Sequence, residues 1–205
     1  MILVFYKIFM GNEKKQQIIV IGGGEAWDTY DAYIQYLRDK EYNPYEEHGD
    51  GWKQLLQKKL GDAYDVIYVV MPSRANAKYN EWVIWFEKLF PYMRDNIILI
   101  GHSLGANFLA KYLAENDIPV SIAQLHLVAG SFGVGGGFNL PPSLENVEQK
   151  SKKIYIYHSE DDEIVDFADG QRYAKLLPKA KFVQLKDRGH FLVDEFPEII
   201  ANIVQ

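Results

Sequence analysis

Cysteine is absent from this chain of 205 residues. Without thiols the chain has no disulfide framework, no thiolate-ligated zinc site and no cysteine nucleophile. A basic excess is absent as well, because the formal net charge is -6 at pH 7, whereas nucleic-acid-binding surfaces carry clustered Lys and Arg. No apolar run reaches the roughly 20 residues that span a bilayer. We therefore expect a cytoplasmic protein that binds neither nucleic acid nor a membrane.

The chain opens with an apolar run from Ile2 to Phe9. This run has no basic region before it, Lys7 interrupts it, and no small-residue cleavage site follows, so it does not match a secretion signal. We interpret it as an antiparallel edge strand that forms a hairpin with the first core strand.

Apolar segments of strand length alternate with segments of helical period along the rest of the chain. The predicted strands are Gln17–Gly22, Asp65–Val70, Asn96–Ile100, Ile122–Val128, Lys153–His158 and Lys181–Leu185. The predicted helices are Asp28–Lys40, Gly51–Leu60, Glu81–Met93, Leu104–Glu115, Gly170–Leu177 and Asp194–Val204. This alternation predicts one α/β domain over residues 1–205, with a mostly parallel central sheet and helices on both faces.

Residues 101–105 form the motif Gly-His-Ser-Leu-Gly, preceded by an apolar strand and followed by a helical segment. In a Gly-x-Ser-x-Gly motif, the serine occupies a sharp strand-to-helix turn that crowds its neighbours, so small residues are needed two positions before and after it. The motif predicts Ser103 as a nucleophile. The alternative is a tight turn in which Ser103 only caps the helix.

A serine hydroxyl needs a base to take its proton, and the chain has five histidines. His190 is the strongest candidate, because it follows the last predicted strand and the loop 187–189. His102 is expected to point away from the serine, and His126 lies inside a predicted strand. His48 is expected to be exposed, and His158 comes too early in the chain order. We therefore predict His190 as the general base.

The acid of a Ser-His-Asp triad is expected after a strand that lies between Ser103 and His190 in the sequence. The acidic run 160–163 follows the predicted strand Lys153–His158. Asp162 is the preferred residue because of the Asp-x-x-Val pattern that it begins, and Asp161 is the alternative. Glu160 and Glu163 are interpreted as solvated loop residues.

Backbone N–H groups beside the nucleophile stabilise an oxyanion. Leu104 supplies the first of these in our prediction, because it begins the helix after Ser103. The first predicted strand ends at the glycines 22–24, which let the backbone approach a substrate closely, so Gly24 is predicted as the second donor and Glu25 as its alternative. A dinucleotide loop is the competing interpretation, but Trp27 occupies the position of its third glycine.

Together these residues resemble the α/β-hydrolase superfamily, and more narrowly the compact serine hydrolases similar to retinoblastoma-binding protein nine. The matching pieces are Gly101–Gly105, Met71-Pro72, His158-Ser159 with Asp161-Asp162 and Val165, and Gly189–Phe191. The resemblance implies an α/β-hydrolase fold with a minimal or absent cap and a Ser-His-Asp triad. It also implies small ester or related acyl substrates and no metal or cofactor.

The chain departs from this family in its first loop, which has Gly22-Gly23 where members often have His-Gly, and at Asp166, where members often have Pro. Residues 41–51 resemble an insertion with no assigned role. The loop Gly130–Gly137 is expected on the side of the sheet where ligands bind.

Two other functions remain open from the sequence. The same triad could cleave amides or thioesters. A protein-interaction module on a hydrolase scaffold is the other alternative, because the resembling family includes a member named for a protein partner. All three predicted triad residues are present, which favours an enzyme.

Overall fold

The computed structural model describes residues 15–45 and 51–205. In this part of the chain six strands form one sheet, in the order β2-β1-β3-β4-β5-β6, and each neighbouring pair is parallel. The strands are β1 Gln16–Ile21, β2 Tyr64–Val69, β3 Ile97–His102, β4 Ile122–Val128, β5 Ser151–Ser159 and β6 Lys181–Leu185. The predicted parallel sheet is confirmed, and β4 and β6 have the predicted bounds.

Seven α-helices accompany these strands in the described residues. They are α1 Tyr30–Asp39, α2 Gly51–Leu60, α3 Tyr79–Glu87, α4 Leu104–Glu115, α5 Glu145–Lys150, α6 Phe167–Leu176 and α7 Pro197–Ile203. Helices α2 and α4 have the predicted bounds. None of the described helices is long and apolar enough to cross a membrane.

The other helices differ from their predicted bounds for local reasons. Helix α1 begins after Thr29, whose hydroxyl accepts a hydrogen bond from the Ala32 N–H at 3.1 Å. Helix α3 ends at Glu87 instead of Met93, because Pro91 lies in the short 3-10 turn that follows. Helix α5 was not predicted, since its six residues are mostly polar and present no repeating apolar face.

Both faces of the sheet are covered. In β1, Ile19 and Ile21 belong to a core cluster that includes Trp82 of α3, whereas Ile18 and Val20 belong to a second cluster with residues of α2 and α7. Alternate side chains of one strand therefore enter two different cores. This arrangement explains why the sequences of the central strands are continuous apolar runs and do not alternate between apolar and polar residues.

The loop that begins at Gly130 packs against the α3 side of the molecule. Phe138 is fully buried and its ring contacts the rings of Tyr79 and Trp82 edge to face. The Gly136 carbonyl accepts a hydrogen bond from the Tyr79 N–H at 2.9 Å. The predicted hairpin Ile2–Phe9 lies outside the described residues, as do residues 46–50 of the segment 41–51.

Candidate active site

The predicted residues converge because parallel strands deliver their carboxyl ends to one edge of the sheet. Ser103 follows β3, Asp162 follows β5, His190 follows β6, and the glycines 22–24 follow β1. In open α/β sheets this edge is the place where ligands bind.

Ser103 occupies a strained turn between β3 and α4, with φ 55° and ψ -124°. A Cβ atom at Gly101 would lie 2.5 Å from the Gly105 carbonyl oxygen, and one at Gly105 would lie 2.3 Å from the Ile21 carbonyl oxygen. Both positions therefore require glycine, since the obstructing atoms belong to the backbone. The Ser103 N–H donates a 2.8 Å hydrogen bond to the Val128 carbonyl, which anchors the turn to β4.

Asp162 and His190 form a hydrogen-bonded pair. The His190 Nδ1 atom lies 2.9 Å from one carboxylate oxygen of Asp162 and 3.1 Å from the other. The Asp162 side chain is fully buried. Burial raises the pKa of Asp162, but the hydrogen bonds from His190 and from the Val165 and Ile164 N–H groups outweigh it and hold this pKa below its usual value. Asp162 is therefore a carboxylate at neutral pH, and His190 carries its proton on Nδ1.

Asp161, the alternative acid, has a different set of partners. Its Oδ1 atom accepts hydrogen bonds from the Ser159 hydroxyl and, at 3.0 Å, from the Gly189 N–H. The Ser159 oxygen in turn accepts from the Arg188 N–H at 3.0 Å. Asp161 thus fastens the loop that precedes His190, whereas Asp162 contacts the imidazole itself.

The glycine loop after β1 lies against the nucleophile. A Cβ atom at Gly23 would lie 3.0 Å from Ser103 Cβ and 3.3 Å from its hydroxyl oxygen. The Glu25 N–H donates to the Arg74 carbonyl at 2.7 Å, so it is already engaged. In residues 15–45 and 51–205, the N–H groups of Gly24 and Leu104 have no hydrogen-bond partner.

Ser103 does not contact His190 through a hydrogen bond in the part of the chain that the structure describes. Hydrogen bonds between a nucleophile and its base are often long without substrate and shorten when substrate binds. The structure therefore brings Asp162 to His190 and the glycine loop to Ser103, and it leaves the last link of the predicted triad unmade.

A known protein family matches most of this chain. The family model described as serine hydrolase matches residues 43–199 of this chain. The chain belongs to the serine hydrolase family. Serine hydrolase RBBP9 of Rattus norvegicus is 27% identical to it over 160 residues, which are 75% of this chain and 84% of that protein. The predicted family resemblance is confirmed.

Solved structures with low sequence identity share the fold of this serine hydrolase. The ydeN gene product from B. subtilis matches with a TM-score of 0.68 and 17% identity, over 93% of this chain and 97% of that one. MenH from S. aureus matches with a TM-score of 0.60 and 15% identity, over 95% and 94% of the two chains. The α/β-hydrolase fold is thereby confirmed. The match to the serine hydrolase family shows that the protein is an enzyme of this type.

Sequence reasoning missed the role of His102. This residue was expected only to point away from the nucleophile. Its side chain is buried, and its Nε2 atom lies 2.8 Å from the His190 carbonyl oxygen. Trp52 of α2 makes a parallel contact, since its indole N–H donates to the Phe191 carbonyl at 3.0 Å. These two bonds fix the backbone on which His190 stands. They join residues far apart in the sequence, so no local motif indicates them.

The remaining histidines of the described residues are both buried. His126 is fully buried and its two ring nitrogens lie 2.9 Å from the Tyr157 hydroxyl and from the Gln124 amide oxygen, which confirms the expected satisfied core residue. His158 is also fully buried, and its Nε2 atom lies 3.1 Å from the Gly130 carbonyl oxygen. His48, which was expected to be exposed, lies outside the described residues.

Proposed function

We propose that this serine hydrolase cleaves small esters or related acyl compounds by two-step acyl transfer, with Ser103, His190 and Asp162 as its catalytic triad. The observation that carries the proposal is the strained backbone of Ser103, because such strain persists where it serves to present a nucleophile. The Asp162–His190 pair at the same edge of the sheet supports it.

The first step is attack on the substrate carbonyl. Asp162 holds the proton of His190 on Nδ1, so Nε2 is left with a free lone pair that accepts the proton of the Ser103 hydroxyl. The Ser103 oxygen then bonds to the carbonyl carbon. The N–H groups of Leu104 and Gly24 donate to the oxyanion that develops, and they do so without giving up other partners.

Collapse of this intermediate releases the leaving group, which receives the proton from His190 Nε2. Water then attacks the acyl-enzyme and gives its proton to His190 Nε2. The bond to the Ser103 oxygen breaks, His190 returns the proton to that oxygen, and the acid product leaves. During both steps the buried Asp162 carboxylate stabilises the imidazolium form of His190.

The test is the hydrolysis of an ester, a thioester and an amide with the same acyl chain, by the wild type and by Ser103→Ala and His190→Ala. Both variants are expected to lose about 10⁴-fold or more of kcat for whichever substrate is cleaved. Ser143→Ala, an exposed serine outside the site, is the matched control and is expected to retain wild-type kcat. Near-normal hydrolysis by Ser103→Ala would overturn the proposal.

A further inference from the structure

Lys53 places a positive charge beside the proposed site. It lies on α2, is half-buried, and its Nζ atom is 3.4 Å from Nδ1 of His102 and 5.1 Å from the centre of the Trp52 ring. Because Nε2 of His102 donates to the His190 carbonyl, Nδ1 is the nitrogen without a proton and accepts from Lys53. The ammonium group is thus fixed against the residue that precedes the nucleophile.

Arg74 brings a second positive charge from the loop after β2. Its Nε–H donates to the Gly23 carbonyl at 2.8 Å, and Gly23 is the residue that lies against Ser103. Its terminal guanidinium NH₂ groups have no hydrogen-bond partner in the described ranges. Since β2, β1 and β3 are adjacent in the sheet, Arg74, Gly23 and Ser103 follow one another along its edge.

This pair of cations lacks a counter-charge. In residues 15–45 and 51–205, neither Lys53 nor Arg74 forms an ion pair with a carboxylate. His102 supplies no negative charge. Burial, together with the charge of Arg74, lowers the pKa of Lys53 to about 8, so most Lys53 side chains are still protonated at neutral pH. A half-buried positive charge such as that of Lys53 is costly without a counter-charge, and a bound anion reduces that cost.

We propose that this pair of cations binds a carboxylate of the substrate, so that the preferred substrates are esters or related acyl compounds that carry a negative charge near the scissile carbonyl. This inference rests on the proposed function, since it names the substrate class of the same site. The guanidinium of Arg74 offers the two parallel N–H donors that suit a carboxylate, and the Lys53 ammonium adds a charge-assisted hydrogen bond. The carboxylate belongs to the acyl part of the substrate or to its leaving group.

Two pairs of matched substrates show whether the carboxylate belongs to the acyl part or to the leaving group. For the acyl part, 4-nitrophenyl hemiadipate is compared with 4-nitrophenyl 6-methylheptanoate, in which an isopropyl group replaces the carboxylate. For the leaving group, 3-acetoxybenzoate is compared with its neutral amide, 3-acetoxybenzamide. We expect kcat/KM to favour the charged member of one pair by about tenfold to a hundredfold, as for a hydrogen bond between charged groups. No preference in either pair would overturn the inference.

The variant Lys53→Met removes the charge and keeps the unbranched stem that packs on Trp52. It is expected to lower the ratio of kcat/KM for the charged ester to kcat/KM for the neutral ester by at least about tenfold. Lys53→Arg is expected to restore part of the preference. Lys58→Met changes the net charge equally on the exposed side of α2, so it is expected to keep the full preference.

The outcomes keep the two proposals apart. If Lys53→Met retains the full preference for the charged ester, the cation pair does not bind the carboxylate and the inference is wrong, while the triad stands. If the wild type cleaves neither member of either pair and Ser103 does not react with a fluorophosphonate, the proposed function itself fails. Labelling of Ser103 by the same probe in Lys53→Met shows that the nucleophile of this variant still reacts.

Discussion

Asp162 and Asp161 are adjacent, yet the structure predicts opposite outcomes when each is replaced by Asn. In Asp162, Oδ1 accepts hydrogen bonds from the Ile164 and Val165 N–H groups, both at 2.9 Å, and Oδ2 lies 2.9 Å from His190 Nδ1. An amide introduced by Asp162→Asn must therefore place its oxygen at the Oδ1 position, because its NH₂ group cannot accept from two backbone donors. The NH₂ group then faces His190 Nδ1.

This orientation favours the wrong tautomer of His190, because the NH₂ group takes the position 2.9 Å from Nδ1 and the amide oxygen the more distant position at 3.1 Å. With an N–H donor opposite, Nδ1 becomes the acceptor and Nε2 carries the proton, so Nε2 cannot take the proton of Ser103. The analogous change in a Ser-His-Asp protease lowers kcat by about 10⁴-fold, and four factors of ten correspond to about 5.4 kcal/mol of activation free energy. We expect a loss of that order for Asp162→Asn with 4-nitrophenyl butyrate.

Asp161→Asn is the matched control for this prediction. Its amide oxygen still accepts from Ser159 and Gly189, so the loop before His190 stays in place and most of the activity is retained. Circular dichroism and thermal unfolding of both variants check that they are folded. The reasoning is refuted if Asp162→Asn keeps more than about one-tenth of wild-type kcat, or if Asp161→Asn is the more damaging change.

Three further predictions concern stability. Gly105→Ala is expected to lower the free energy of unfolding, measured by urea titration, by about 1–3 kcal/mol or more, because the new Cβ meets backbone atoms. Gly133→Ala is the control and is expected to be close to neutral, because its Cβ meets nothing within 4 Å. Phe138→Ala is expected to cost about 3–5 kcal/mol in the same assay, and a change below about 1 kcal/mol would contradict the buried loop. The depressed pKa of Asp162 stabilises the fold above the unfolded pKa of about 4, and this stability is lost as the pH falls through the lower folded pKa. The difference in Tm between the wild type and Asp162→Asn should therefore shrink below about pH 4, and a constant difference would contradict it.

The parts of the site that sequence predicts well are those that local chemistry determines. The turn at Ser103 is specified within one strand, one turn and one helix, so Gly101, Ser103 and Gly105 are sufficient to recognise it. The helix that begins at Leu104 and the strand Ile122–Val128 were predicted with their observed bounds, because each has a long apolar pattern. The order of the strands across the sheet then follows from the fold that the resemblance implied.

Other features depend on how the chain folds back on itself. The Asp-x-x-Val pattern favoured Asp162 over Asp161, but only the direction of the backbone after β5 shows that Asp162 contacts His190 and Asp161 contacts Gly189. The contact of Arg74 with Gly23 joins loops 51 positions apart, and the contact of His102 with His190 joins residues 88 positions apart. Composition and periodicity carry no information about such pairs. The placement of Lys53 against His102 and of Arg74 against Gly23 was therefore visible only in three dimensions.

The most direct test of the account is covalent labelling of the nucleophile. The wild type and Ser103→Ala are treated with a fluorophosphonate probe, and the adduct is located by mass spectrometry of the digested protein. The account predicts one adduct, on Ser103 of the wild type, and none in Ser103→Ala, because only an activated serine beside working oxyanion donors reacts with the probe. A folded wild type that gains no adduct, or gains it on another residue, would contradict the central claim.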